Sequence, residues 1–153
     1  LELEYIGARP VPLAELMAQS DFVVITCLLN EETRGLVGAR ELALMKPSAY
    51  LINVARGPVV DEKTLYEVLA ARRIGGAGLD VFAEEPTPAD NPILKLDNVI
   101  VSPHALCWTD ELFGNIARTA IGAVLAVHAG RRPQFLVNAQ ALSHPRAKAW
   151  LME

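Results

Sequence analysis

Charge is scarce in this sequence, cysteine almost absent, and no long apolar run interrupts it. Charged residues occupy 21% of 153 positions while 52% are hydrophobic, against roughly 25% charge in an average soluble domain. That balance excludes a disordered chain. Cys27 and Cys107 are too few and too isolated for a disulfide framework. With neither a CxxC pair nor a Cys/His cluster, no zinc or other metal site is assigned. Such sparing cysteine use fits a reducing compartment, so a cytoplasmic location is expected. No uncharged apolar window reaches the ~18 residues that a membrane span needs, and no basic stretch followed by an apolar one marks a secretory signal. Fourteen basic residues against eighteen acidic ones give a net charge of −4, which argues against a nucleic-acid backbone as partner. An initiating methionine is also missing: the chain opens on Leu1, so a longer polypeptide or a large interface is expected to account for the high apolar content.

What the sequence does contain is an alternation of short apolar runs and helical stretches. The length suits one domain and lets about 70% of the unfolded chain's surface be buried. The β-branched run over 22–26 reads as a strand covered on both faces. Further strands are expected over 50–54, 78–82 and 99–101, and helices over 13–19 and 39–45, the latter closed by Lys46-Pro47. Asp61 is placed to N-cap a third helix whose apolar face is Leu65, Val68 and Leu69, with Arg72-Arg73 in its last turn and Gly75-Gly76 stopping it. A loop rich in Pro, Asp and Glu spans 83–98, before the longest helix, over 109–129 and ended by Gly130. Ile116, Ala120, Ile121, Val124, Leu125 and Val127 form its broad apolar face. Strand alternating with helix implies an α/β fold, a parallel doubly wound sheet. Function in such sheets gathers at the carboxyl ends of the strands.

An arginine, a glutamate and a histidine each follow a different expected strand: Arg56, Glu85 and His104. Together they suit reduction of the carbonyl of a 2-oxo acid, or its reverse. Arginine offers a planar, permanently charged fork for a carboxylate. Histidine gives a proton at neutral pH as the carbonyl becomes an alkoxide, and a neighbouring carboxylate favours the imidazolium. A redox cofactor must bring the hydride, since no side chain can. Taken one at a time, Arg56 also fits a surface arginine, Glu85 a solvated loop acid and His104 a satisfied buried histidine. Asp80, closing an apolar strand, needs partners if buried. Cys27 and Cys107 read as small hydrophobes, and His128 and His144 receive no role. Gly76-Ala77-Gly78 imitates the start of a dinucleotide fingerprint, but position 81 is Val and the segment leads into a strand. It fails the structural context of that motif.

The runs INVARGPVVDEKTLYEVLA, GAGLDVFAEEP and NVIVSPH, in this order and spacing, resemble the NAD(P)-dependent D-2-hydroxyacid dehydrogenases, a family that includes glycerate, glyoxylate/hydroxypyruvate and phosphoglycerate dehydrogenases. The resemblance extends from about Leu3 to Asn138. It implies a Rossmann-like domain using NAD or NADP on a small 2-oxo or 2-hydroxy acid. Arg56 matches the substrate-binding arginine, His104 the general acid/base and Glu85 its carboxylate partner. Asp80 matches the aspartate near the nicotinamide carboxamide. Val54 and Ala55 match backbone positions beside the nicotinamide, and Cys27 one lining the adenosine side. As implied cofactor neighbours these stand with Arg56 and His104.

The same resemblance implies absences. The first βαβ unit with its glycine fingerprint is missing, so residues 1–130 correspond to the catalytic part of a nucleotide-binding domain and 131–153 to a tail returning toward a substrate domain. A homodimer is implied as well. HALCWTDE replaces the glycine that many members carry shortly after the histidine, so Trp108 is expected to alter the wall near cofactor or substrate. Leu28 stands for a frequent proline and Thr26 for a frequent histidine. The rival reading is a non-catalytic, NAD-sensing, corepressor-like protein on the same fold.

Overall fold

The computed structural model describes residues 7–150. The opening Leu1, the start of the resemblance near Leu3 and the last three residues of the 131–153 tail lie outside the described residues. Contacts divide the chain between Leu106 and Cys107 into two compact units.

The first unit runs α1 (Leu13–Gln19), β1 (Phe22–Ile25), α2 (Ala39–Leu44), β2 (Tyr50–Asn53), a 3-10 turn (Gly57–Val59), α3 (Glu62–Ala70), β3 (Gly76–Leu79), a second 3-10 turn (Pro92–Lys95) and β4 (Val99–Val101). The strands lie in chain order in one sheet, every pair parallel. Asp61 caps α3 as expected, its Oδ1 accepting from Thr64 N at 3.0 Å. Val23, Ile25, Leu51, Ala77 and Leu79 point to one face and join Met17, Leu42, Leu65, Val68 and Leu69 in the core. Each such large aliphatic side chain contributes about 1.5–3 kcal/mol by leaving water.

The other face is open. Phe22 is 67% exposed and Ile100 81%, with Val24 and Tyr50 also exposed, and the Phe22 and Tyr50 rings stack at 5.7 Å. Burial of β1 on both faces is therefore corrected: its side chains alternate because α1, α2 and α3 deliver their apolar residues to one side only.

The expected third strand over 78–82 is also corrected, to Gly76–Leu79. Gly76 belongs to the strand because it pairs with Tyr50 in the parallel ladder, and backbone and ring crowd it so that a Cβ there would lie 2.3 Å from Asn98 O and 3.0 Å from the Tyr50 ring. Nor do Gly75-Gly76 stop α3, or Arg72-Arg73 fill its last turn. The helix ends at Ala70, Arg72 turns left-handed at φ 52°, and Arg72 N and Arg73 N donate to Leu69 O and Val68 O, both at 3.0 Å. This is a Schellman closure with arginine where glycine is usual.

The second unit holds α4 (Asp110–His128), a 3-10 turn (Ala139–Ser143) and α5 (Pro145–Trp150). Thr109 caps α4 through Leu112 N at 3.1 Å. Gly130, at φ 68°, closes it with the same pair of bonds seen in α3, to Val127 O and Ala126 O. The apolar face expected on this helix is present, but none of its residues is buried; Ile116, Ile121, Val124 and Leu125 are exposed.

Candidate active site

Each expected catalytic group is set by a turn at the carboxyl end of its strand. After β2, Asn53 is only 1% exposed; its Nδ2 donates to Arg56 O at 3.0 Å and its Oδ1 accepts from Ala55 N at 3.1 Å. The amide thus folds residues 53–56 into the turn that presents Arg56, whose exposed side chain returns a bond from Nη1 to Ala55 O at 2.6 Å. Gly57 lets this turn press against the start of the loop after β3: a Cβ there would fall 1.9 Å from the Phe82 carbonyl. No other residue fits that approach.

The loop after β3 is held from several sides. Phe82 N donates to Glu85 Oε1 at 3.0 Å. Glu62, in the first turn of α3, accepts from Ala83 N at 2.6 Å and from Asn91 Nδ2 at 2.9 Å. The Glu85–Pro86 peptide bond is cis. So fixed, Glu85 Oε2 meets His104 Nδ1 at 2.7 Å. His104 itself stands in the left-handed region at φ 54°. Asp80, 5% exposed, accepts from Ser102 Oγ, from Ala105 N at 2.9 Å and from Leu106 N at 3.4 Å.

The two carboxylates share an electrostatic pattern. Burial pushes Asp80 up, but the bonds from Ser102, Ala105 and Leu106, with the charge of His104, outweigh it and leave the group below its ordinary value. Burial pushes Glu85 up as well; the His104 and Phe82 bonds, then the charges of His104 and Arg56, bring it below its ordinary value. Both are held as anions at neutral pH.

Asp80, Phe82, Glu85, Leu94, Ser102 and His104 border a cavity of about 700 Å³. Of the residues singled out from sequence, Asp80, Glu85 and His104 thus meet at one cavity. Arg56 reaches Glu85 through its charge. Val54, Ala55 and Cys27 follow β2 and β1 at the same edge of the sheet, outside the walls of that cavity; Cys27 packs against the core. Trp108 belongs to the second unit, its ring tilted against Phe113 at 6.1 Å. His144 accepts from Arg146 N at 3.2 Å and His128 ends α4. Among the described residues no cluster of three His, Cys, Asp or Glu side chains could hold a metal ion. Asn53, Ser102 and Glu62 were not singled out from sequence. For Asn53 the signal was a polar residue closing an apolar strand, the same feature that drew attention to Asp80.

Residues 2–105 match the sequence model of the family described as D-isomer specific 2-hydroxyacid dehydrogenase, NAD binding domain. The chain belongs to this family. It is 47% identical over 136 residues to a glyoxylate/hydroxypyruvate reductase B of Pectobacterium carotovorum, covering 89% of this chain and 42% of that protein. A glyoxylate reductase of Korarchaeum cryptofilum is 42% identical over 137 residues, with coverage of 90% and 41%. Among solved structures, D-lactate dehydrogenase with NAD+ from Lactobacillus jensenii superposes with a TM-score of 0.79 at 30% identity, over 84% of this chain and 42% of that one. The chain therefore spans about two-fifths of the length of the curated relatives it matches. As a 2-hydroxyacid dehydrogenase domain it has the parallel, Rossmann-like sheet that the alternating sequence pattern implied.

Proposed function

We propose that this chain carries the catalytic groups of an NAD(P)-dependent D-2-hydroxyacid dehydrogenase that reduces a small 2-oxo acid such as glyoxylate or hydroxypyruvate. The reading rests above all on the 2.7 Å Glu85–His104 pair bordering a cavity at the carboxyl edge of a parallel sheet, in a chain of this family. Arg56 grips the substrate carboxylate with its guanidinium fork. His104 gives the proton that the carbonyl oxygen needs as it gains negative charge. Glu85 accepts from Nδ1 and so leaves Nε2 as the nitrogen that faces the reaction.

A nicotinamide cofactor supplies the hydride. Asp80 fits its carboxamide: Oδ1 is taken up by loop donors, while Oδ2 has only a long 3.4 Å contact from Leu106 N and keeps room to accept an amide hydrogen. Val54 and Ala55 would offer backbone beside the ring and Cys27 would line the adenosine side. Residues 1–130 form the catalytic part of the nucleotide-binding domain, and 131–153 a tail directed to a substrate domain. The enzyme acts in the cytoplasm as a homodimer, in keeping with two unpaired cysteines and an exposed apolar sheet face.

The test is NADH and NADPH oxidation by the full-length polypeptide over glyoxylate, hydroxypyruvate and pyruvate. His104→Gln is expected to lower kcat about 100-fold or more, the usual share of a general acid, and Arg56→Ala to raise KM for the oxo acid. A protein that binds NADH yet reduces none of these acids would instead be the non-catalytic sensor.

A further inference from the structure

We propose that Ser102 is a positioning residue for His104 and that it acts through Asp80. The inference rests on the reading of His104 as the proton donor. It begins with register. Leu79 of β3 pairs with Val101 of β4, so Asp80 and Ser102 are the next residues on two adjacent parallel strands. Ser102 N extends the ladder by donating to Leu79 O at 2.9 Å. The Ser102 hydroxyl then turns across to Asp80 Oδ1. The same oxygen accepts from Ala105 N at 2.9 Å, and Leu106 N reaches both oxygens at 3.4 Å.

One buried carboxylate thereby grips the chain on both sides of the histidine, at 102 before it and at 105 and 106 after it. Between these grips, Pro103 restricts its own φ and His104 adopts φ 54°, a conformation that a side-chain-bearing residue keeps only when its surroundings impose it. The imidazole meets Glu85 from this bent backbone. Ser102 supplies the sole side-chain donor to Asp80 among the described residues. Its hydroxyl fixes the rotation of the carboxylate and therefore the direction from which Oδ1 receives the two backbone amides. Removing it leaves a buried anion short of a donor and free to turn, and the 102–106 bend loses the anchor that aims His104 at Glu85. Arg56 sits on the β2 turn, which this network does not touch, so substrate grip is spared.

The experiment compares wild type, Ser102→Ala and Ser102→Thr in the full-length polypeptide with two readouts. The first is the NMR titration of the Glu85 side-chain carboxyl, which reports the His104 contact whether or not the protein turns over. Ser102→Ala is expected to move its midpoint up toward the ordinary carboxylate range, and Ser102→Thr, which keeps the hydroxyl, to leave it low. The second is steady-state reduction of the oxo acid: Ser102→Ala is expected to lower kcat about tenfold, the worth of one charge-assisted hydrogen bond, with KM held within about twofold, and Ser102→Thr to restore kcat. If Ser102→Ala does not fold, Ser102→Cys, with its weak donor, takes its place in both readouts. An unchanged Glu85 titration in the variant without the hydroxyl overturns the proposal, as does a Ser102→Thr protein equally impaired, or a rise in KM at constant kcat. If wild type reduces no oxo acid, the functional reading fails and the carboxyl titration alone decides the positioning role.

Discussion

Asp80 illustrates how a single residue couples the site to the stability of the protein. Its carboxylate is buried, gripped chiefly through Oδ1 by the 102–106 bend, and held below its ordinary value of 3.8. A carboxylate depressed on folding adds stability that is complete above the unfolded value and disappears as pH falls through the lower, folded one. Asp80→Asn removes that contribution at every pH. The variant is expected to melt below wild type at about pH 7 and to lose less melting temperature than wild type between about pH 5 and 3. Glu85, also depressed, leaves an acid limb in both proteins, so the comparison is one of slopes. Thermal melts across this range check it.

At the level of elements, the packing of one turn on the next loop matters most. Gly57 stands where a Cβ would meet the carbon and oxygen of the Phe82 carbonyl at 1.9 Å. Backbone cannot yield as a flexible side chain does, so Gly57→Ala is expected to cost about 3 kcal/mol in chemical denaturation, the upper end for overpacking. The same displacement parts Arg56 from Glu85.

Elements were readable from sequence where their cause is local. The bounds of α1 and β4 coincide with expectation, as do the N-cap of α3 and the closure of α4, because Asp61 and Gly130 act within a turn of themselves. The start of β3 was not readable: Gly76 is crowded by Asn98 and Tyr50, both distant in the chain. The end of α3 is not legible from its glycines because Arg72, not a glycine, holds the left-handed position. The site divides likewise. Arg56, Glu85, His104 and Asp80 carry charge or a titrating ring and follow apolar runs, whereas Ser102 and Glu62 matter only through bonds to partners that folding brings near, and Asn53 through the local turn its amide closes.

Over the whole molecule, apolar side chains meet solvent in both units: Phe22, Val24 and Ile100 on the open sheet face, and Ile121, Val124 and Leu125 on α4. Exposed apolar surface of this kind attracts other apolar surface. Val24→Thr with Ile100→Thr is expected to reduce binding of an apolar fluorescent dye and self-association by light scattering, while changing stability by no more than about 0.5 kcal/mol, as befits exposed positions.

The sheet has one more property with a consequence for synthesis. Its strands are ordered in space as they are in the chain, β1 to β4. Groups at their carboxyl ends therefore emerge from a ribosome in the sequence in which they stand side by side: Cys27, Arg56, Glu85, His104. The order lets each new strand dock on its predecessor's edge without threading past a later one. Arg56 is synthesised before His104 exists, and the row is completed only with β4, the last strand of the series.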